Sequence, residues 1–408
     1  MYTLLSVTFI NILGFGIVVP LLPFYGASFH APAWQIALIF SAYPIGTFFG
    51  EPFWGRLSDR IGRKPILIST ILANCLCYGA LAFAPNIYIA FAIRLVGGLA
   101  AGNGSVIQGY IADVSPPDLR AARMARLGGA YNIGFILGPV AGGMLAKTSV
   151  GPIGFQIPLL AASALCGCSA IGIALAVRES RTTRTAAPEA QPSRWAMLGF
   201  AARHPVIGRL ILLTFVVGFA FNGIESIFGL WAQQRFDWRP RDVGLCFAVA
   251  GLVSAPAQFF LTGALSRRYG EARMLAIGMV GTVIAMALQP LADGGWTTYA
   301  CMAMTALCSS VAFPNAAAMM SRAIDEDHQG QIAGLNNAAG AFSRVIGPLT
   351  AGFVFSGLSV NGPFWIGAAV VAPAFVLAMG AGRAIAASDP RQSPLPPGAQ
   401  TCDASAKS

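Results

Sequence analysis

Charge is what this sequence has least of. Only 10% of its 408 residues are Asp, Glu, Lys or Arg, against about 25% in an ordinary soluble domain. Disorder needs many charges and few apolar residues, whereas 56% here are A, V, I, L, M, F, W, Y or C, which excludes it. A soluble enzyme of this size would need far more charge to wet its surface. Histidine is equally scarce: His30, His204 and His328 lie far apart. The eight cysteines make no ligand set, because Cys75/Cys77 and Cys166/Cys168 are each two apart and would point to nearly opposite sides of a helix. Neither a metal nor a cofactor is therefore expected. The first apolar stretch lacks a basic leader and carries Asn11, Gly14, Gly16 and Pro20, so it reads as a retained helix and not a signal peptide.

What is present is uncharged length. Met1 to Gly50 carries no charge, nor do Pro65–Ile93, Leu127–Ala146, Thr148–Val177 or Val345–Gly382. A bilayer demands such stretches, since a spanning helix needs ~20 largely apolar residues. Division at Pro and Gly breaks predicts twelve helical segments, near 2–25, 35–54, 65–84, 87–112, 127–146, 153–177, 207–235, 243–265, 273–291, 297–321, 332–357 and 362–382. The chain reads as an all-α polytopic membrane protein. One long polar stretch divides it into an N-terminal bundle (1–177), a linker (178–206), a C-terminal bundle (207–382) and a tail (383–408) expected to be disordered. With this topology twenty Lys and Arg lie on the side of both termini, four lie on the other, and Arg94 and Arg344 fall inside helices. The positive-inside rule then places both termini in the cytoplasm. It also accounts for the net charge of +10, and no nucleic-acid partner is needed.

The halves repeat. Gly55-Arg-Leu-Ser-Asp-Arg-Ile-Gly62 aligns with Gly263-Ala-Leu-Ser-Arg-Arg-Tyr-Gly270 at an offset of 208, and Gly138-Pro139 with Gly347-Pro348 at 209. The basic loop continues through Arg63 and Lys64. Its glycines suit a tight turn, and Asp59 can pair with Arg60, Arg63 or Lys64 or cap a helix. Gly134, Gly138 and Gly142 recur every fourth residue, as in close helix packing, while Pro139 favours a kink. Gly143 follows directly.

Glu225 is the carboxylate expected deep within an apolar helix, about 15 Å from its outer end. Carboxyls withdrawn from water suit proton exchange, and the competing reading is a static salt bridge to Arg94. Arg94 and Arg344 lie about 10 and 18 Å deep by the same helical rise, where arginine is costly. Glu51 and Asp113 are expected at helix ends, in structural roles.

Three motifs carry a resemblance. Gly55-x3-Asp59-Arg60-x-Gly62-Arg63-Lys64, Arg94-Leu-Val-Gly-Gly98 and Gly134-x3-Gly138-Pro139-x2-Gly142-Gly143 resemble the loop 2–3, fourth-helix and antiporter motifs of the major facilitator superfamily. Tyr110-Ile-Ala-Asp113, Arg235-Phe-Asp-Trp238, Tyr269-Gly-Glu271 and Met319-Met-Ser-Arg322 are similar to its tetracycline-resistance branch. The resemblance implies twelve helices in two six-helix bundles, a transporter and not an enzyme, and export of amphipathic organic molecules or drugs in exchange for protons by alternating access. It implies a bacterial inner (plasma) membrane and a functional monomer. The loop motif would latch the outward-facing state by touching Asp113 and the eleventh helix near Gln331.

Proton coupling would involve Glu225 and Arg94. A cavity between helices one, four, seven and ten would be lined by Asn11, Tyr25, Gln108, Asn222, Phe228, Trp231 and Asn315, with Tyr131 and Asn132 from helix five and Arg344 from helix eleven. The chain departs from the branch in having Asn11 where an acid is usual, Gly97 where Gln is preferred, and no acid across 274–291. Two other readings stay open: an uncoupled facilitator or importer of a small metabolite, and a membrane-embedded enzyme or receptor. Against the last, no helix carries a convergent catalytic set.

Overall fold

The computed structural model describes residues 2–180, 204, 206–323 and 326–388. We number the membrane helices α1 (Leu4–Ala27), α2 (Ala33–Ile61), α3 (Arg63–Ala82), α4 (Ile87–Val114), α5 (Pro117–Leu145), α6 (Thr148–Ala176), α7 (Ile207–Phe236), α8 (Pro240–Tyr269), α9 (Glu271–Leu291), α10 (Gly295–Arg322), α11 (Glu326–Gly357) and α12 (Gly362–Ala381). Eleven of them are long and apolar enough to cross a membrane among the described residues. The other, α5, is 29 residues long and packs along α1 and α8. Most of the linker and tail lie outside the described residues.

Helix ends follow local chemistry. Asn86 accepts the Ile89 amide and starts α4. Pro240 opens α8 at its first turn. Asp237, in left-handed conformation, stops α7. Most backbone donors and acceptors between these ends are thereby closed within helices, as a bilayer requires; α4 is interrupted at Ala101 and Gly102. Large apolar side chains such as Leu76, Leu175, Phe260 and Val376 are exposed on the outside of the bundle, facing the hydrocarbon.

Several helices run beyond the boundaries expected from hydropathy. α2 extends to Ile61, not to about 54, and α8 to Tyr269. Hydropathy marks where the bilayer ends, but a helix continues through polar residues until something stops it. Here a glycine with positive φ does so: Gly62 at 114° and Gly270 at 85°, each directly before the next helix. They are the last glycines of the two repeated motifs, so the repeat is structural. The expected tight turn rests on Gly62 alone, because Gly55 lies inside α2.

α1–α6 and α7–α12 form two bundles, and the same pairs recur in each. α1 packs on α5 as α7 packs on α11, and α2 on α4 as α8 on α10. The bundles meet along two symmetry-related seams, α2 against α11 and α5 against α8. This is the parallel-repeat layout, with an axis along the membrane normal.

Candidate functional site

With an even number of spans, both termini emerge on one face. At the opposite face the seams are shut. Trp34 stacks on Phe353 with centroids 6.2 Å apart, its backbone N–H donates to Ser356 Oγ at 3.2 Å, and Ser41 Oγ donates to the Val345 carbonyl at 3.0 Å. On the other seam Gly143 lies against the Pro240 carbonyl, and Gly244 against that of Pro139. Toward the terminal face the bundles part. A cavity of about 550 Å³ opens there between α5 and α8–α10, lined by Asn132, Gln258, Phe259, Ser266, Asn315 and Arg322 among others.

Three further charged side chains lie on the membrane helices, outside the lining of that cavity. Glu51 on α2 and Arg344 on α11 are exposed, and Glu225 on α7 is half-buried. The field of the Arg344 guanidinium acts on both carboxylates. Glu225 also borders a small cavity of about 20 Å³ inside the second bundle, with Phe228, Met302 and Gln289 in its wall. Gln289 is 3% exposed and its Nε2 has no hydrogen-bond partner.

The salt bridge weighed between Glu225 and Arg94 is absent. Arg94 is 4% exposed, lies 4.7 Å from the Tyr43 ring centroid and is enclosed by Asn74, Cys77 and Tyr78 within the first bundle. Its Nε and Nη1 have no hydrogen-bond partners. The counter-charge of Glu225 is instead Arg344, which α11 brings beside α7.

The expected cavity residues divide. Tyr131 lies within the field of Glu51, and Gln108 is exposed one turn from Gly104, which adjoins Glu51 Oε1. Asn132 Nδ2 donates to Gln258 Oε1 at 3.3 Å across the seam between the bundles. Asn315 accepts from Ser266 Oγ at 2.8 Å in the wall of the large cavity. Asn222 bridges α7 and α11 by donating to Ser343 Oγ at 3.4 Å.

Four others are withdrawn from the cleft. Asn11 is 5% exposed and accepts the Cys166 thiol at 3.4 Å from α6. Tyr25 donates to the Leu81 carbonyl at 2.7 Å. Trp231 donates to Asn361 Oδ1 at 2.8 Å, and Phe228 stacks against it. The polar tips of Asn11, Tyr25 and Trp231 are satisfied inside the bundles, which is why polar and aromatic character alone misplaces them. Asn11→Asp is accordingly expected to lower folded protein in the membrane several-fold, because a carboxylate there would be buried without a cation. Size-exclusion profiles of fluorescent fusions measure this. A well-folded variant with a changed pH dependence of transport would put Asn11 on the proton path.

The glycine motif has two faces. Gly134, Gly138 and Gly142 press on Ile12, Gly16 and Ile17 of α1, within one bundle. Pro139 and Gly143 are the members that meet α8.

The basic motif is knitted into its own bundle. Arg63, 7% exposed, bonds Asp59 at 2.9 Å, Asp113 at 3.1 Å and Ser58 Oγ at 2.6 Å. Lys64 Nζ donates to the Ala174 carbonyl at 2.7 Å, and Arg60 is exposed. Glu179 caps α3, accepting the Arg63 and Lys64 amides at 2.8 and 3.0 Å. No motif marked Glu179, which stands two residues beyond Val177 in the predicted linker. The expected contact with Gln331 lies outside the described side chains.

The family model described as Major Facilitator Superfamily matches residues 4–261 and 210–403. The chain is 30% identical over 369 residues to the class C tetracycline resistance protein of Escherichia coli, covering 89% of this chain and 92% of that one. It is 26% identical to multidrug resistance protein 2 of Bacillus subtilis, covering 88% and 90%. Among solved structures, the human organic anion transporter MFSD10 superposes with a TM-score of 0.68 at 23% identity over 92% of this chain and 98% of that one. A bacterial homolog of the human lysosomal transporter Spinster, in an inward-facing and occupied conformation, does so with 0.71 at 14% over 97% and 98%. By the family model along both halves and by this repeat, the chain belongs to the Major Facilitator Superfamily, whose members are secondary transporters of small molecules and not enzymes.

Proposed function

We propose that the protein exports amphipathic organic molecules or drugs in exchange for protons, from the tetracycline-resistance branch of the family and in a bacterial inner membrane. The observation that carries the proton step is Glu225, a carboxyl deep in α7 that borders the small cavity inside the second bundle and lies within the field of Arg344. The relatives' resistance to tetracyclines and other drugs supports the substrate class. So do the cavity walls, where Phe259 and Pro314 stand among amides and hydroxyls.

The twenty Lys and Arg of the terminal face favour a cytoplasmic location for it. The open cleft then faces the cytoplasm, ready to load a molecule from inside. Substrate would enter there and the bundles would rock about the closed seams to expose it outside. The basic cluster around Arg63 would meet α11 in that second state.

The test is export of a panel that includes ethidium and tetracycline from a pump-deficient host, followed by proton flux in proteoliposomes. Efflux abolished by a protonophore, and proton movement driven by the exported probe, are expected. Probe equilibration indifferent to the protonophore would favour the uncoupled facilitator.

A further inference from the structure

Two carboxylates on the membrane helices lie within the field of Arg344, and the mechanism above uses one. The other is Glu51 on α2, three residues before the apolar stretch ends near position 54, which is about 4–5 Å inside the terminal-face end of the span by helical rise. Side chains on a helix lean toward its N-terminus. α2 and α11 run in opposite directions, so the side chains of Glu51 and Arg344 lean toward each other. Arg344 follows this rule: its Nη1 is 3.9 Å from where a Cβ on Gly340 would stand, one turn nearer the terminal face.

The Glu51 carboxylate stands at the edge of its own bundle: its Oε1 is 3.2 Å from where a Cβ on Gly104 of α4 would stand, and the side chain is exposed.

In this structure Arg344 makes no ion pair within 4.0 Å with either carboxylate among the described residues, yet its field acts on both. Tyr43 and Tyr131 are the other titratable side chains coupled to Glu51, and both are uncharged at neutral pH. The seam is pinned at Ser41–Val345 and open below it. Closing the terminal face brings α2 toward α11 below that pin, which shortens the distance from Glu51 to Arg344. Glu225 and Arg344 belong to one bundle and gain nothing from the closure.

We infer that Glu51 is a positioning residue for proton exchange, drawing Arg344 away from Glu225 whenever the terminal face closes. This rests on the proton-coupled reading of Glu225. With Arg344 held by Glu51, Glu225 lacks its counter-charge and takes a proton from water on the opposite face. When the terminal face opens, Glu51 recedes, Arg344 returns, and Glu225 gives that proton to water in the cleft. Arginine stays charged throughout, so one proton crosses per cycle and only the Glu225 O–H bond forms and breaks.

The test compares wild type, Glu51→Gln, Glu51→Asp and Glu225→Gln in proteoliposomes, using the probe from the panel that wild type exports. Two quantities are read: probe-driven proton flux, and probe counterflow without a pH gradient. Glu51→Gln is expected to lose about tenfold or more in proton flux, within the range of ordinary coupling energies, while counterflow persists, and Glu51→Asp is expected to restore part of the flux. Undiminished flux in Glu51→Gln, with flux lost in Glu225→Gln, would overturn the role of Glu51 and leave that of Glu225. Equal loss of flux and counterflow in Glu51→Gln, unrelieved by Glu51→Asp, would make Glu51 structural and overturn the inference. Absence of flux in wild type would overturn the antiport reading and this inference with it.

Discussion

Glu225→Gln is expected to abolish accumulation against a gradient while downhill exchange of the same probe continues. Gln matches Glu in size, so the packing of α7 against α11 and the small cavity beside Gln289 keep their shape. What disappears is the ability to bind and release a proton. Arg344 retains Glu51 as a negative neighbour and is not left as an isolated charge. Membrane abundance should therefore stay within about twofold of wild type, the range of changes that disturb no packing. The accumulation ratio in energised vesicles should collapse to equilibration. Glu225→Asp, which keeps the proton but shortens the arm, should retain part of the activity. Uphill transport by the Gln variant at the wild-type ratio would remove Glu225 from the proton path.

Gly138→Leu is expected to remove most folded protein from the membrane. A Cβ at this position would lie 2.5 Å from the Gly16 carbonyl carbon and 2.6 Å from its Cα. Both are backbone atoms, so neither can rotate aside, and α1 must separate from α5. Helix association in a bilayer relies on such close packing. Overpacking by a side chain costs about 1–3 kcal/mol, and each ~1.4 kcal/mol is tenfold in the folded population. Gly128 on the same helix is the control, because a Cβ there meets nothing within 4 Å. Fluorescence-detected size exclusion of the two Leu variants compares them. Similar monodisperse peaks for both would show that α1 and α5 can part without loss.

Much of the architecture is legible from local physics. Apolar length, proline and glycine breaks and the bias of Lys and Arg suffice to count twelve helices and to pair the halves, because a bilayer penalises every unsatisfied or charged group along a span. The basic motif was likewise legible as a cluster, and Asp59, Arg63 and Asp113 do meet in the structure.

The partners of the buried charges were not legible in that way. Glu225 and Arg344 are 119 positions apart in sequence, and nothing local distinguishes Arg344 from Arg94 as the counter-charge. The packing of α11 between α7 and α2 makes that choice. Hydropathy stops near position 54, but the helix continues to Ile61, so the end of α2 itself was not legible in it. Asn11 and Trp231 carried the right chemistry for a cavity, but helix rotation turned them to Cys166 and Asn361. The sequence by itself thus determined which segments enter the membrane and how the two halves repeat, since those follow from transfer of each residue out of water. Only the tertiary structure decided which side chains share the cleft, because that depends on how each helix is rotated about its axis against neighbours far away in the chain.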